Sequence, residues 1–221
     1  MTVRPFYKTS GPGMSKANYD NANPLRDHPD LMTDPVFLIG NGKSRDSFDL
    51  ERLREHGTII GCNALYRDFS PDLLVTIDAK LIDEIRKSNY HEDPKHRVII
   101  PHNRSTTVPG AMIFRTEQFN TSGCFAMKLI NLWMGATKCY MLGMDGYPGN
   151  VYDCTLNYSV NTLQNFTGVH NYYLKALREE GPTTFYNVNE KDAWPNEARQ
   201  TGKYEHITYD AFEQLLAAGF K

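Results

Sequence analysis

With 221 residues, a formal net charge of −2, 40% apolar and 23% charged residues, the chain has the make-up of one medium-sized globular domain with a full core. The near-balanced charge creates no field to recruit nucleic acid, and no apolar stretch reaches the length of a membrane span. No basic-then-apolar signal segment opens the sequence, so the expected location is cytoplasmic.

Cys62, Cys124, Cys139 and Cys154 have no C-x-x-C spacing and read as buried thiols of a reducing compartment. The N-x-[ST] sequons at Asn103, Asn120, Asn157 and Asn165 then carry no consequence. The seven histidines show no zinc-type spacing, so no structural metal is expected.

Residues 1–34 are polar, rich in Asn, Asp, Pro and Gly, and read as an arm or partly disordered leader ahead of a single domain over 35–221. Val36–Ile39 then forms a short apolar strand that breaks into Gly40-Asn41-Gly42-Lys43-Ser44. The two glycines allow a sharp turn and a close backbone approach to a ligand. Ser44 and Asp46 can cap a following helix over Phe48–Glu55, whose first N–H groups suit an anion. Two familiar phosphate motifs are excluded. The P-loop needs a glycine where Phe37 stands, and the dinucleotide fingerprint needs a third glycine at Arg45.

Further strands are expected at Thr58–Cys62, Leu73–Ile77, Arg97–Ile100, Lys138–Leu142 and Thr184–Val188. Helices are expected at Lys80–Ser88, Ser122–Met134, Val169–Glu180 and Tyr209–Ala218. This alternation predicts an α/β, three-layer, Rossmann-like fold: a mostly parallel sheet with helices on both faces. The stretch from about 144 to 168 is rich in Gly, Tyr and Asn without periodicity, and reads as a long loop or lid.

Four strands run into distinctive polar groups: Gly40-Asn41-Gly42, Asn63, Asp78, and Gly143 through Tyr147 with Asp145. In open α/β sheets the ligand crevice lies outside the carboxyl ends of the strands, so these groups should converge. Taken singly, each has a structural role open to it: Asn63 as a turn residue, Asp78 as a helix cap, Asp145 as a loop support. Thr121-Ser122-Gly123 opens an apolar helix, and a cap there is compatible with a helix start that faces a ligand. Tyr147, Tyr152 and Tyr158 crowd the lid, where phenol hydroxyls can bind a phosphate or sugar or simply pack. His170, placed after the lid and beside the crevice, is the candidate general base.

Read together, these blocks resemble a superfamily that joins the bacterial sialyltransferases of the Campylobacter type with the archaeal 6-hydroxymethylpterin diphosphokinases and flagellar motility accessory factors. Its G-N-G-P-S turn is matched by Gly40 to Ser44, with Lys43 in place of proline. Its C-N or V-N pair is matched by Cys62-Asn63, its PD-hydrophobic-D block by Pro71 to Asp78, its T-S-G start by Thr121 to Gly123, and its longer block ending in G-x-D-x-Y by Met134 to Tyr147. The likeness covers roughly residues 35–190.

The sialyltransferase branch implies an inverting, metal-independent glycosyl transfer from a CMP-sugar to a small-molecule or glycan acceptor. There the turn residues Gly40, Asn41, Gly42 and Ser44 with Asn63 would hold the nucleotide, and Thr121, Ser122 and Gly123 the donor. Tyr147 and Tyr152 would stabilise the leaving phosphate, and His170 would act as base. The diphosphokinase branch implies ATP with Mg²⁺ held by Asp78 and Asp145. A non-catalytic nucleotide-binding or assembly module keeps the fold alone. Self-association is open in all three.

Overall fold

The computed structural model describes residues 23, 25–101, 108–114, 121–159 and 166–220. Eight strands form a single sheet: β1 (Val36–Ile39), β2 (Thr58–Cys62), β3 (Leu73–Val75), β4 (Val98–Pro101), β5 (Met112–Phe114), β6 (Lys138–Leu142), β7 (Thr184–Val188) and β8 (Tyr204–Ile207). Their order is β5-β4-β3-β2-β1-β6-β7-β8, and every neighbouring pair is parallel. The chain order reverses between β1 and β6. That boundary is the topological switch point, where an open α/β sheet leaves a crevice.

The five helices described are α1 (Ala79–Lys87), α2 (Ser122–Leu129), α3 (Phe166–Arg178), α4 (Asn196–Gln200) and α5 (Tyr209–Ala217). Strand side chains alternate between the two faces, and so the core divides in two. Val36 and Leu38 of β1 join Phe125, Leu129, Leu177 and Ala198 on the α2–α3–α4 face. Phe37 and Ile39 join Ile82, Ile85, Phe212 and Leu216 on the α1–α5 face. All four β1 side chains are buried, as a strand covered on both faces requires. The predicted three-layer α/β fold is the fold found.

Several boundaries differ from the sequence reading. The expected helix over Phe48–Glu55 is only a short 3₁₀ turn, Leu50–Leu53, preceded by another at Lys43–Arg45. Its apolar spacing explains this, because Leu50 and Leu53 share one side at the three-residue period of a 3₁₀ turn and no longer stripe follows them. Asp49, not Ser44 or Asp46, caps the second turn by accepting from Glu51 N at 3.1 Å. Helix α2 ends in a π-helical turn, Ile130–Met134, closed by Gly135 in the left-handed region (φ 68°). Strands β5 and β8 and helix α4 were missed. Both strands are sheet edges, and β8 (Tyr-Glu-His-Ile) has the mixed polarity of a strand paired on one side.

Within the expected arm, Leu25 and Leu31 are buried in the α2–α3 core; residues 1–22 and 24 lie outside the described residues. So do residues 160–165 of the expected lid, whereas 144–159 are described. Among the described residues no helix is long and apolar enough to cross a membrane.

Candidate functional site

Backbone first shapes the crevice. Gly40 N donates to Leu142 O at 2.8 Å and Gly42 N to Gly143 O at 2.8 Å, zipping the exits of β1 and β6 together. A Cβ on Gly40 would sit 2.3 Å from Gly143 O, so only glycine permits this approach. Beneath the turn runs Arg45, 5% exposed, donating from Nε to Gly40 O at 2.7 Å and from Nη2 to the Tyr152 hydroxyl at 3.1 Å. The position that breaks the dinucleotide fingerprint therefore supports the turn from below.

Asp145, 4% exposed, pins the same turn from the β6 side. Its Oδ2 accepts from Ser44 N at 3.0 Å, and its Oδ1 accepts from the Ser44 hydroxyl and from Asn189 Nδ2 at 3.3 Å. A Cβ on Gly42 would fall 2.4 Å from the Asp145 carboxyl carbon, so the second glycine makes room for that carboxylate. Burial raises the Asp145 pKa above 3.8, and the Ser44 hydrogen bonds only partly offset this.

A cavity of about 230 Å³ opens between this turn, the ends of β2 and β3, and the start of α2. Of the predicted residues, Gly40, Asn41, Gly42, Asn63, Asp78, Thr121, Ser122, Gly123, Asp145 and Tyr147 all line it. They come from five separate stretches of chain. The expected convergence at the carboxyl ends of the strands is therefore present.

The individual roles are visible. Asn63, in the left-handed region at φ 54°, accepts through Oδ1 from Ser122 Oγ (2.6 Å) and Thr76 Oγ1 (3.1 Å). Ser122 Oγ in turn accepts from Ile77 N at 3.1 Å, so one chain of hydrogen bonds ties β2, β3 and α2. With its carbonyl so used, Asn63 has its amide group left for a ligand. Thr121 caps α2 by accepting from Cys124 N at 3.1 Å. Asp78 caps α1 by accepting from Lys80 N at 2.8 Å, and remains exposed on the cavity wall. Tyr147 donates to Asn189 Oδ1 at 3.1 Å. Asn41 donates to the Tyr158 hydroxyl at 3.1 Å, which brings the third lid tyrosine onto the wall.

Three predicted residues stand off the lining. Ser44 lies behind it on Asp145. Tyr152 is buried between Arg45 and Asp68, donating its hydroxyl to the Asp68 carboxylate, so it supports the segment instead of facing a phosphate. His170 packs behind Gly146, with Nε2 3.1 Å from where a Gly146 Cβ would be; its neighbours Val169 and Tyr173 do reach the cavity. Burial lowers the His170 pKa below 6.5, which favours the neutral ring, against an opposing hydrogen bond with the Gly146 backbone.

For the metal alternative, Asp145 has both oxygens engaged and Asp78 one. Among the described residues no cluster of three or more His, Cys, Asp or Glu is placed to hold a metal ion. Cys62 lines the cavity as a neutral thiol, its pKa pushed up to about 12 by burial. It is no nucleophile at neutral pH.

Sequence reasoning missed Asn189, Arg45, Met144 and Tyr173. Asn189 follows β7 as Asn63 follows β2, a signal that was available. Met144 carried none. Its thioether lies between Gly40 and Gly123, which the chain shows only when folded. Compared with protein-family models, curated proteins and solved structures, the chain matches none.

Proposed function

We propose that this protein transfers a glycosyl group from a nucleotide sugar, most favourably a CMP-activated acid sugar, bound at the β1/β6 switch point. The observation that carries this reading is the convergence of the Gly40–Gly42 turn, Asn63 and the Thr121–Gly123 helix start on one cavity. The first N–H groups of the α2 start suit a phosphate, and the Asn63 amide supplies a donor beside them, while the turn's own Gly40 and Gly42 N–H groups are spent on holding it against β6.

In the transfer, an acceptor hydroxyl oxygen bonds to the anomeric carbon while the bond from that carbon to the donor phosphate oxygen breaks. The nucleotide phosphate leaves with the electron pair, and a base takes the hydroxyl proton. Tyr147, on the cavity wall, is the residue proposed to donate to the departing phosphate, giving up its hydrogen bond to Asn189 Oδ1 to do so. His170 is the proposed base; its Nε2 is buried behind Gly146, so the Gly146 turn must shift for the acceptor hydroxyl to reach it.

The engaged carboxylate of Asp145 weighs against the alternative in which Asp78 and Asp145 jointly hold Mg²⁺ for ATP chemistry. Thermal-shift titration with CMP, UDP, GDP and ATP, each with and without Mg²⁺, tests the proposal, because a ligand of the native state raises the melting temperature. Stabilisation by CMP without metal supports it. Stabilisation only by ATP with Mg²⁺ transfers the reading to phosphoryl or pyrophosphoryl transfer, and none by any nucleotide leaves a non-catalytic module.

A further inference from the structure

We propose that Arg67 is a positioning residue that latches the 150–158 segment over the crevice; this rests on reading the crevice as a nucleotide site. The sequence of that segment reads as a lid, yet its packing is that of a wall. Tyr152 and Tyr158 are buried against Ala64 and Leu81. Between those two anchors the residues at 154–157 are all exposed, Leu156 to 70%, so apolar burial does not hold them.

Arg67 does. It ends the 3₁₀ turn Asn63–Arg67 that leaves β2. Its Nη1 donates to Thr155 Oγ1 at 2.8 Å and its Nη2 to Leu156 O at 2.7 Å. On its other side Nε and Nη2 grip the two carboxylate oxygens of Glu84 on α1, each at 2.7 Å. The guanidinium also lies over the rings of Tyr152 and Tyr158, at 5.5 and 5.6 Å from their centroids.

Glu84 completes the latch. It accepts from Tyr66 at 2.6 Å and from Asn157 Nδ2 at 2.6 Å. Asn157 and Tyr158 line the cavity. One planar cation thus joins β2, α1 and the inner wall of the site, which a lysine with a single compact head group could not do.

Hydrogen exchange of the amides that close this segment tests the proposal: Thr155 N to Tyr152 O, and Tyr158 N to Thr155 O. In both Arg67→Ala and Arg67→Lys, their protection should fall about 10- to 100-fold, the scale of losing charge-assisted hydrogen bonds, while β1 amides keep theirs. Added CMP should restore protection in the variants, since a ligand that touches the wall favours its closed state. Unchanged protection in both variants overturns the latch. Lost protection that CMP fails to restore, in a variant that still binds CMP, overturns the positioning role. If the wild-type protein binds no CMP, the nucleotide reading fails by itself, and the exchange of the variants without ligand still decides the latch.

Discussion

Asp145 reaches from the end of β6 to take both the backbone amide and the hydroxyl of Ser44, closing the glycine turn onto the sheet. This contact spans the switch point, so it sets the geometry of the proposed phosphate site. Asp145→Asn keeps one acceptor oxygen but turns an amide donor toward donors, at a cost of about 1–3 kcal/mol for the group left unsatisfied.

The pH dependence of that cost has a definite sign. Burial raises the folded pKa of Asp145 above its usual 3.8, so between the two values the folded state holds the proton better than the unfolded chain. This group's contribution is most favourable at and below 3.8 and is lost as pH rises through the folded pKa. The stability gap between wild type and Asp145→Asn should therefore be wider near pH 4 than at pH 7. Urea denaturation of both proteins at the two pH values measures it; a gap that widens with pH refutes the assignment.

Glycine substitutions should separate backbone clashes from adaptable ones. Gly40→Ala drives a Cβ against Gly143 O at 2.3 Å, and neither backbone can yield without breaking the β1–β6 contact. At Gly123 the nearest atom is the Met144 Cε at 2.6 Å, the free end of a flexible side chain. Thermal denaturation should show Gly40→Ala costing about 3 kcal/mol and Gly123→Ala about 1 kcal/mol. Equal losses would mean that the turn is looser than described.

Asn63 should matter for ligand and fold together. Asn63→Gly keeps the left-handed backbone of φ 54° while removing both the amide and the Oδ1 that accepts from Ser122 and Thr76. Titration calorimetry should show the CMP dissociation constant rising about tenfold, the effect of one lost hydrogen bond, and the melting temperature should also fall because two buried hydroxyls lose their acceptor. An unaltered affinity would remove Asn63 from the nucleotide site.

His170→Ala should lower turnover by about 10²–10⁴ while leaving CMP affinity nearly unchanged. Because burial holds its pKa below 6.5, activity should stay level from pH 8 to 7 and decline only at more acidic pH. Full activity in the variant, measured by release of CMP from a CMP-sugar, would place the base elsewhere. Asp78, exposed on the cavity wall, is then the residue to substitute.

Much of this molecule was legible from local pattern. Short apolar runs such as Val36–Ile39 and Lys138–Leu142 become buried parallel strands because only a sheet covered on both faces hides them. The polar residues that terminate them face one crevice because parallel strands share one carboxyl end. Asn41, Asn63, Asp78 and Asp145 follow from that alone. What the sequence could not specify depends on contacts between distant segments. Arg45 looks like a failed glycine position until Gly40 O and Tyr152 close around it. Tyr152 and His170 sit at plausible distances along the chain, yet side-chain direction is set by packing, which turns Tyr152 toward Asp68 and His170 behind Gly146. The lid becomes a wall because Arg67 and Glu84, some ninety and seventy residues away from it, supply bonds that no local periodicity encodes.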